Sequence, residues 1–246
     1  MDLLICIDDT DDIYSRGTGE IAELLANGLS ARELASCGRV TRHQLLVHPD
    51  IAYTSHNSAM CFPAQTEKKL LGAVTTWCQE ALVAESADAS DPGLCVVPVD
   101  LLERPDELIA FGRDAKQRVL TKGEAFRAAA QLGVHLSEHG GTGIGVIGAL
   151  AGAGLRLSGD DGRFKGKLRI QGDASGVARV DEILSQGVDS VRTPDGEVLA
   201  GKEDVVVNEE CKLVLLGGRA VLLVAPAPAG SAAAWGVIER RALRGY

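Results

Sequence analysis

Residues 3–7, Leu-Leu-Ile-Cys-Ile, form an apolar run cut off at once by Asp8, Asp9, Asp11 and Asp12, four carboxylates within five residues. Five apolar residues are too few for a helix and enough for a buried strand. The carboxylates cannot follow that strand into a core, because like charges a few ångströms apart in a low dielectric repel at the kcal/mol scale. The chain must therefore build a sheet with a strand whose C-terminal end opens onto solvent or a cation. Downstream, residues 19–35 place Ile21, Leu24, Leu25, Leu29 and Leu34 at roughly helical spacing. Residues 40–47 and 59–62 read as strands joined by a polar loop, 48–58. Residues 66–85 put Leu70, Leu71, Val74, Trp77, Cys78, Ala81 and Leu82 on one helix face, and residues 94–99 read as another apolar strand. The order β-α-β-β-α-β over residues 3–99 predicts an α+β fold with a ferredoxin-like N-terminal part.

From residue 105 to 132 the pattern is helical, most clearly over 122–132. The glycine-rich segment His139-Gly-Gly-Thr-Gly-Ile-Gly then leads into an Ala/Leu/Ile stretch ending near Leu157, predicted as a tightly packed helix. Past Asp173 the texture changes to a short helix over 177–184, a turn at Pro194-Asp195-Gly196, and apolar runs 212–216 and 219–224 flanking Gly217-Gly218. That last pattern is a two-residue hairpin signal. We expect a core over residues 1–172 with a Gly-rich helical middle, and a small β-rich unit over 173–246.

Composition limits what such a chain can bind. Lys and Arg number 25 against 34 Asp and Glu, a net charge of −9, so a polyanion would need a local basic patch. Aromatic residues make up 4% of the chain, too few for a surface that stacks several bases. Six cysteines, at 6, 37, 61, 78, 95 and 211, show no CxxC spacing, which excludes a zinc ribbon. Cys6, Cys61 and Cys95 lie inside apolar runs and read as reduced, buried thiols of a cytoplasmic protein. The Asp-rich opening predicts no secretory signal, and no apolar run approaches membrane-spanning length, so no membrane partner is expected.

Two segments carry the chemistry. Asp8, Asp9 and Asp11 at a strand's carboxyl end suit Mg²⁺, a hard cation that takes one or two carboxylates and bridges to phosphates. The bland alternative is a solvated loop in which Asp11 or Asp12 caps the next helix. Asp160-Asp161 reads either as a second acidic pair or as a plain turn. Gly143, Gly145 and Gly148 match GxGxxG, and backbone N–H groups over 141–145 are candidate phosphate donors. A dinucleotide fingerprint needs a clear preceding strand and an acid about 20 residues on, and no Lys-Ser/Thr follows to make a Walker loop. The alternative is a close-packed Gly/Ala helix, since Gly148, Gly152 and Gly154 continue the series. Both readings stand at this point.

Three segments together resemble the archaeal agmatinylcytidine synthetases that act on an isoleucine tRNA. Cys6-Ile-Asp-Asp-Thr-Asp with Arg16-Gly17-Thr18 is similar to that family's Gly-Ile-Asp-Asp-Thr-Asp opening. Arg42, His48-Pro-Asp-Ile and Ser55-His-Asn-Ser-Ala resemble its Arg-Leu-Asn-Pro-Asn-Ile and Arg-Gly-Asn-Gly-Ala segments, and Gly143-Ile-Gly-Val-Ile-Gly-Ala-Leu-Ala resembles its glycine motif. The match runs from residue 3 to about 155, in the same order.

The resemblance implies an unusual kinase domain joined to a ferredoxin-like domain, using ATP and Mg²⁺. It implies Asp8, Asp9 and Asp11 as metal ligands, Asp8, Asp9 and Thr18 as catalytic residues, and Gly141, Gly143, Gly145, Gly148, Arg42, His56 and Asn57 as cofactor-binding residues. Thr18 is the sole counterpart of the family's phosphorylated threonine. The family's Arg-Gly-Asn is Ser55-His56-Asn57 here, and its OB-fold and zinc ribbon have no counterpart. This disfavours tRNA and points to a small molecule or nucleoside, with Arg16, Arg42 and Lys165 or Lys167 as candidate cations. Two alternatives remain: a haloacid-dehalogenase-like phosphatase using Asp9 and Asp11, and a non-catalytic nucleotide-binding subunit. A C2 homodimer is compatible with the Gly/Ala-rich helix.

Overall fold

The computed structural model describes residues 1–51, 57–207 and 210–246. The chain divides into two compact units, Met1–Ser158 and Gly159–Tyr246. Residues 159–172, placed with the core by the sequence pattern, lie in the second unit. Together the elements make a mixed α+β fold with open sheet, consistent with a ferredoxin-like architecture.

Unit 1 runs β1 (Asp2–Asp8), α1 (Thr18–Ala31), β2 (Ser36–Cys37), β3 (Thr41–Gln44), β4 (Ser58–Gln65), α2 (Leu71–Glu85), β5 (Gly93–Pro98), α3 (Pro105–Asp114), α4 (Lys122–Leu132), β6 (His135–Glu138) and α5 (Gly145–Ser158). Its strands lie in the order β6-β5-β1-β4-β3, with β2 also on β4. The pairs β1–β4, β1–β5, β2–β4, β3–β4 and β5–β6 are antiparallel. A haloacid-dehalogenase-like phosphatase would need a parallel, doubly wound sheet, so this pairing pattern argues against that alternative.

β1 is central, which is why all its residues from Leu3 to Ile7 are buried. Leu3, Ile5 and Ile7 face α1 and α2, meeting Ile21, Leu25, Val74 and Leu82. Leu4 and Cys6 face the other way, into the core built by α3, α4 and α5 with Leu108, Val146 and Leu150. Cys6 sits opposite Cys61 on one side and Cys95 on the other, and all three are free and buried. The helical stretch 105–132 is two helices. α4 begins with a capping box of Thr121 and Glu124 and ends at Gly133 in the left-handed conformation.

α5 packs so closely because it lacks side chains where it meets its neighbours. A Cβ at Gly152 would sit 2.6 Å from Cys6 Sγ, and one at Gly154 would sit 2.1 Å from the Leu108 carbonyl oxygen of α3.

Unit 2 is β-rich: β7 (Arg163–Phe164), β8 (Val177–Arg179), α6 (Val180–Ser185), β9 (Ser190–Arg192), β10 (Asp204–Val206), β11 (Val214–Leu216), β12 (Arg219–Pro226) and β13 (Trp235–Val237). The strand order is β7-β11-β12-β13-β10-β8, mixed in direction, with β9 parallel to β12. The hairpin β11–β12 turns at Gly217 and Gly218, whose φ angles of 58° and 73° are those a type I′ turn demands. Asp160 accepts a 2.6 Å hydrogen bond from the Gly217 N–H, which gives it a structural partner within this unit. Among the described residues no helix is long and apolar enough to cross a membrane.

Candidate functional site

At the carboxyl end of β1, in unit 1, Asp8 and Asp9 enter a cleft of about 150 Å³. Gly145 and Gly148, from the first turn of α5, form its adjacent side. Leu45, Leu120, Ile144 and Ile147 supply apolar walls, and Asn57 and Arg118 line it as well. Small-molecule pockets usually span about 300–1,000 Å³, so a nucleotide would extend beyond this cleft.

The carboxylates are held where their charge is unfavourable. Burial pushes the Asp8 carboxyl up to about 8, with Asp9 and then Asp11 adding like-charge repulsion. Burial pushes Asp9 to about 6, assisted by Asp91 and Asp11. Asp9 also adopts a left-handed backbone, φ 54°, uncommon for a residue with a side chain. Gly148 permits this arrangement, since a Cβ there would lie 1.7 Å from Asp8 Oδ2.

The loop after β1 is fixed by its own side chains. Thr18 Oγ1 donates a 2.7 Å hydrogen bond to Asp11 Oδ1, and Asp12 Oδ1 accepts from the N–H groups of Tyr14 and Ser15. Thr10 is fully buried, and its Oγ1 has no hydrogen-bond partner among the described residues; the same holds for Ser86 Oγ. The backbone bond from Ala87 N–H to the Thr10 carbonyl joins these two loops. The two carboxylates that line the cleft, Asp8 and Asp9, are oxygen donors of the kind a hard cation takes while keeping several waters.

The glycine turn is already occupied by a side chain. Asp91 Oδ1 accepts from the N–H groups of Thr142 and Gly143, the latter at 3.0 Å, while the Asp91 carbonyl accepts from Gly145 N–H at 3.1 Å. Asp91 N–H in turn donates to the Asp9 carbonyl at 3.1 Å. Of the donors that the sequence pattern offers to a phosphate, Thr142 and Gly143 therefore bind a carboxylate of the same unit and Gly145 a backbone carbonyl. Nothing in the spacing of Ser-Asp-Pro-Gly marked Asp91 as more than a loop residue. The strand β6, which leads into this turn, was also missed, because its His-Leu-Ser-Glu sequence is short and polar.

The structure thus brings Asp8, Asp9, Asn57, Gly145 and Gly148 to one cleft, while Asp11, on the loop that leaves it, accepts from Thr18 at the start of α1. Gly141 and Gly143 do not line that cleft; a Cβ on Gly141 would meet Asp91, and one on Gly143 would meet Glu138. Arg42 is on β3, where its Nε donates to Ser58 Oγ at 2.9 Å. His56 lies outside the described residues. Arg16 pairs with Glu85 and Lys167 with Glu210. Arg118, the cation at the cleft, is bound to Asp114 and Glu124. Among the described residues no three His, Cys, Asp or Glu side chains form a ready-made metal-binding set.

No protein-family model and no curated protein sequence matches the chain. Its fold is similar to that in the crystal structure of TiaS in complex with an isoleucine tRNA and ATP, with a TM-score of 0.55 and 26% identity over 63% of this chain and 36% of that one. It is also similar to a tRNA fluorescent labeling enzyme, with a TM-score of 0.54 and 27% identity over 63% and 36% of the two chains. Apo TiaS, an agmatidine synthetase for that tRNA, gives 0.54 and 24% over 63% and 35%. The chain spans about a third of the length of these structures.

Proposed function

We propose that unit 1 is the catalytic core of an ATP- and Mg²⁺-dependent enzyme, a phosphotransferase or an ATP-activating ligase, acting on a small molecule or nucleoside. The observation that carries this reading is the pair Asp8 and Asp9, at the end of the central strand in an apolar-walled cleft against Gly145 and Gly148 of α5. The likeness to an ATP-bound enzyme supports it. So does the strand order β5-β1-β4-β3, which we assign to a ferredoxin-like β-α-β-β-α-β unit.

Asp8 and Asp9 would hold the Mg²⁺, which when bound neutralises phosphate charge. Asp11 orients the Thr18 hydroxyl through their hydrogen bond, leaving Thr18 as the candidate phosphate acceptor. The apolar walls exclude water and offer a face to a base, while Asn57 Nδ2 donates to the Leu46 carbonyl at 2.7 Å and pins one wall in place.

Thermal unfolding with and without Mg²⁺-ATP tests the site. The parent should gain stability with nucleotide, by about 2.7 kcal/mol at a hundredfold excess over Kd. The double variant Asp8→Asn/Asp11→Asn should be at least as stable alone and gain nothing from nucleotide. A full nucleotide shift in the variant would reduce the acidic end to a surface loop. A separate expectation concerns tRNA: with a net charge of −9, the chain should show no tight gel-shift complex at physiological salt. Sub-micromolar, salt-sensitive tRNA binding would replace the small-molecule substrate by tRNA.

A further inference from the structure

Arg163 in unit 2 is a buried cation without a bonded partner. It lies on β7 opposite Val214 of β11, so the two side chains share one face of the sheet. Phe164, the next residue, points to the other face, into the core with Leu213 and Leu215. On the Arg163 face, Val214, Val221 and Leu223 are covered by Leu243, itself buried. Leu243 belongs to a 3₁₀ helix, Arg240–Gly245, in which side chains three residues apart eclipse. Arg240 therefore stands over the same face as Leu243, and Arg244 follows it. Arg163 is 9% exposed, and among the described residues its guanidinium has neither a hydrogen bond nor an ion pair. Burial holds it below the usual arginine range, Arg240 and Arg244 push the same way, and Asp161 opposes them.

We propose that Arg163, Arg240 and Arg244 form a binding site for one phosphate group, free or carried as a monoester by a small ligand. A buried charge left unpaired is costly, and two like charges beside it raise that cost. A dianion among them reverses the sign, because each guanidinium gains a charge-assisted partner that its planar fork can grip with two N–H groups. Arginine keeps its proton in proteins, so the site is cationic at pH 7. Arg163 supplies the recessed donor, and Arg240 and Arg244, both exposed, supply donors from the surface. Lys167, on the segment after β7, is engaged by Glu210. Three guanidiniums about one recessed point suit a compact anion, whereas a nucleic-acid backbone needs cations strung along a surface. The site uses no residue of unit 1 and is independent of the ATP reading.

The test is calorimetric titration of the full chain with inorganic phosphate at pH 7.5, in parallel with ribose 5-phosphate. One phosphate should bind per chain; tighter binding of the sugar phosphate assigns the site to a phosphorylated metabolite, and equal or weaker binding assigns it to free phosphate. Arg163→Met keeps an apolar stem and removes the charge. It should weaken phosphate by about tenfold or more, the loss expected with a charge-assisted hydrogen bond. Its thermal midpoint in phosphate-free buffer should be no lower than the parent's. The surface variant Arg240→Gln/Arg244→Gln should lose phosphate alike and keep the fold. The Asp8→Asn/Asp11→Asn variant should bind phosphate like the parent, which separates this site from the cleft of unit 1. Binding no tighter than millimolar, undiminished binding by the arginine variants, loss of binding in the aspartate variant, or a lower midpoint for Arg163→Met would overturn the proposal. So would tRNA binding that disappears in Arg163→Met, because the cations would then serve a nucleic-acid backbone.

Discussion

Gly145→Ala should destabilise unit 1 by about 3 kcal/mol, the upper range for forcing atoms into a packed interior. A Cβ at this position would lie 2.2 Å from the Asp91 carbonyl oxygen, 2.9 Å from that of Asp8 and 2.9 Å from Gly93 N. All three are backbone atoms, from the end of β1 and the start of β5, so no side-chain rotation relieves the clash. Gly93→Ala should behave alike, because its Cβ would meet Gly145 C and Val146 N at 2.2 and 2.3 Å. Gly143 provides the contrast. Its φ of 72° makes a side chain costly, but the atom met first is the carboxylate oxygen of Glu138, the movable end of a long side chain. Gly143→Ala should therefore cost less than Gly145→Ala: about 1–2 kcal/mol of left-handed penalty, together with a displacement of Glu138, whose Cβ would lie 2.9 Å away and whose carboxylate pairs with Lys122. Urea unfolding of the three variants checks the order; a Gly145→Ala midpoint equal to that of the parent would mean the crossing of β5 and α5 is loose.

The second large effect is on pH dependence. Asp8 has a carboxyl near the ordinary value in the unfolded chain and near 8 in the fold. Between about pH 4 and pH 8 the folded protein therefore holds the proton that the unfolded chain has released. Stability from this group is fully present below pH 4 and falls as pH rises towards 8. Asp9 adds a smaller loss between about pH 4 and 6. Asp8→Asn imitates the protonated carboxyl at every pH. It should flatten the profile and exceed the parent at pH 8 by on the order of 3 kcal/mol, allowing for solvent at the cleft mouth. Parallel parent and variant profiles from pH 5 to 9 would show that Asp8 stays ionised throughout.

Much of unit 1 was legible because its side chains alternate with the right period. Residues 3–7 are apolar without interruption because β1 is buried on both faces, and the spacing of Val74, Cys78 and Leu82 marked the buried side of α2. The break between α3 and α4 and the strand β6 were harder to see. β6 occupies a sheet edge, where half its side chains face away from any core and need not be apolar. The glycine series is several things at once: Gly152 and Gly154 are close-packing positions, Gly148 makes room for Asp8, and Gly143 turns the chain. Sequence spacing treats these as one motif because glycine carries no side chain by which to tell them apart.

Neighbours along the chain are enough to dictate that an apolar strand ends in carboxylates, that two helices cover the sheet, and that Gly217-Gly218 turns a hairpin. Packing between distant segments sets the rest: Asp91 binds N–H groups of the glycine turn, Gly145 crosses Gly93, and the imidazoles of His135 and His139 both reach Ser137. The first two are contacts between segments some 50 residues apart, and the third depends on the path of a strand that local pattern could not detect. Side-chain periodicity specifies which face of an element is buried, whereas the partner of a loop is set by where the packed elements bring it.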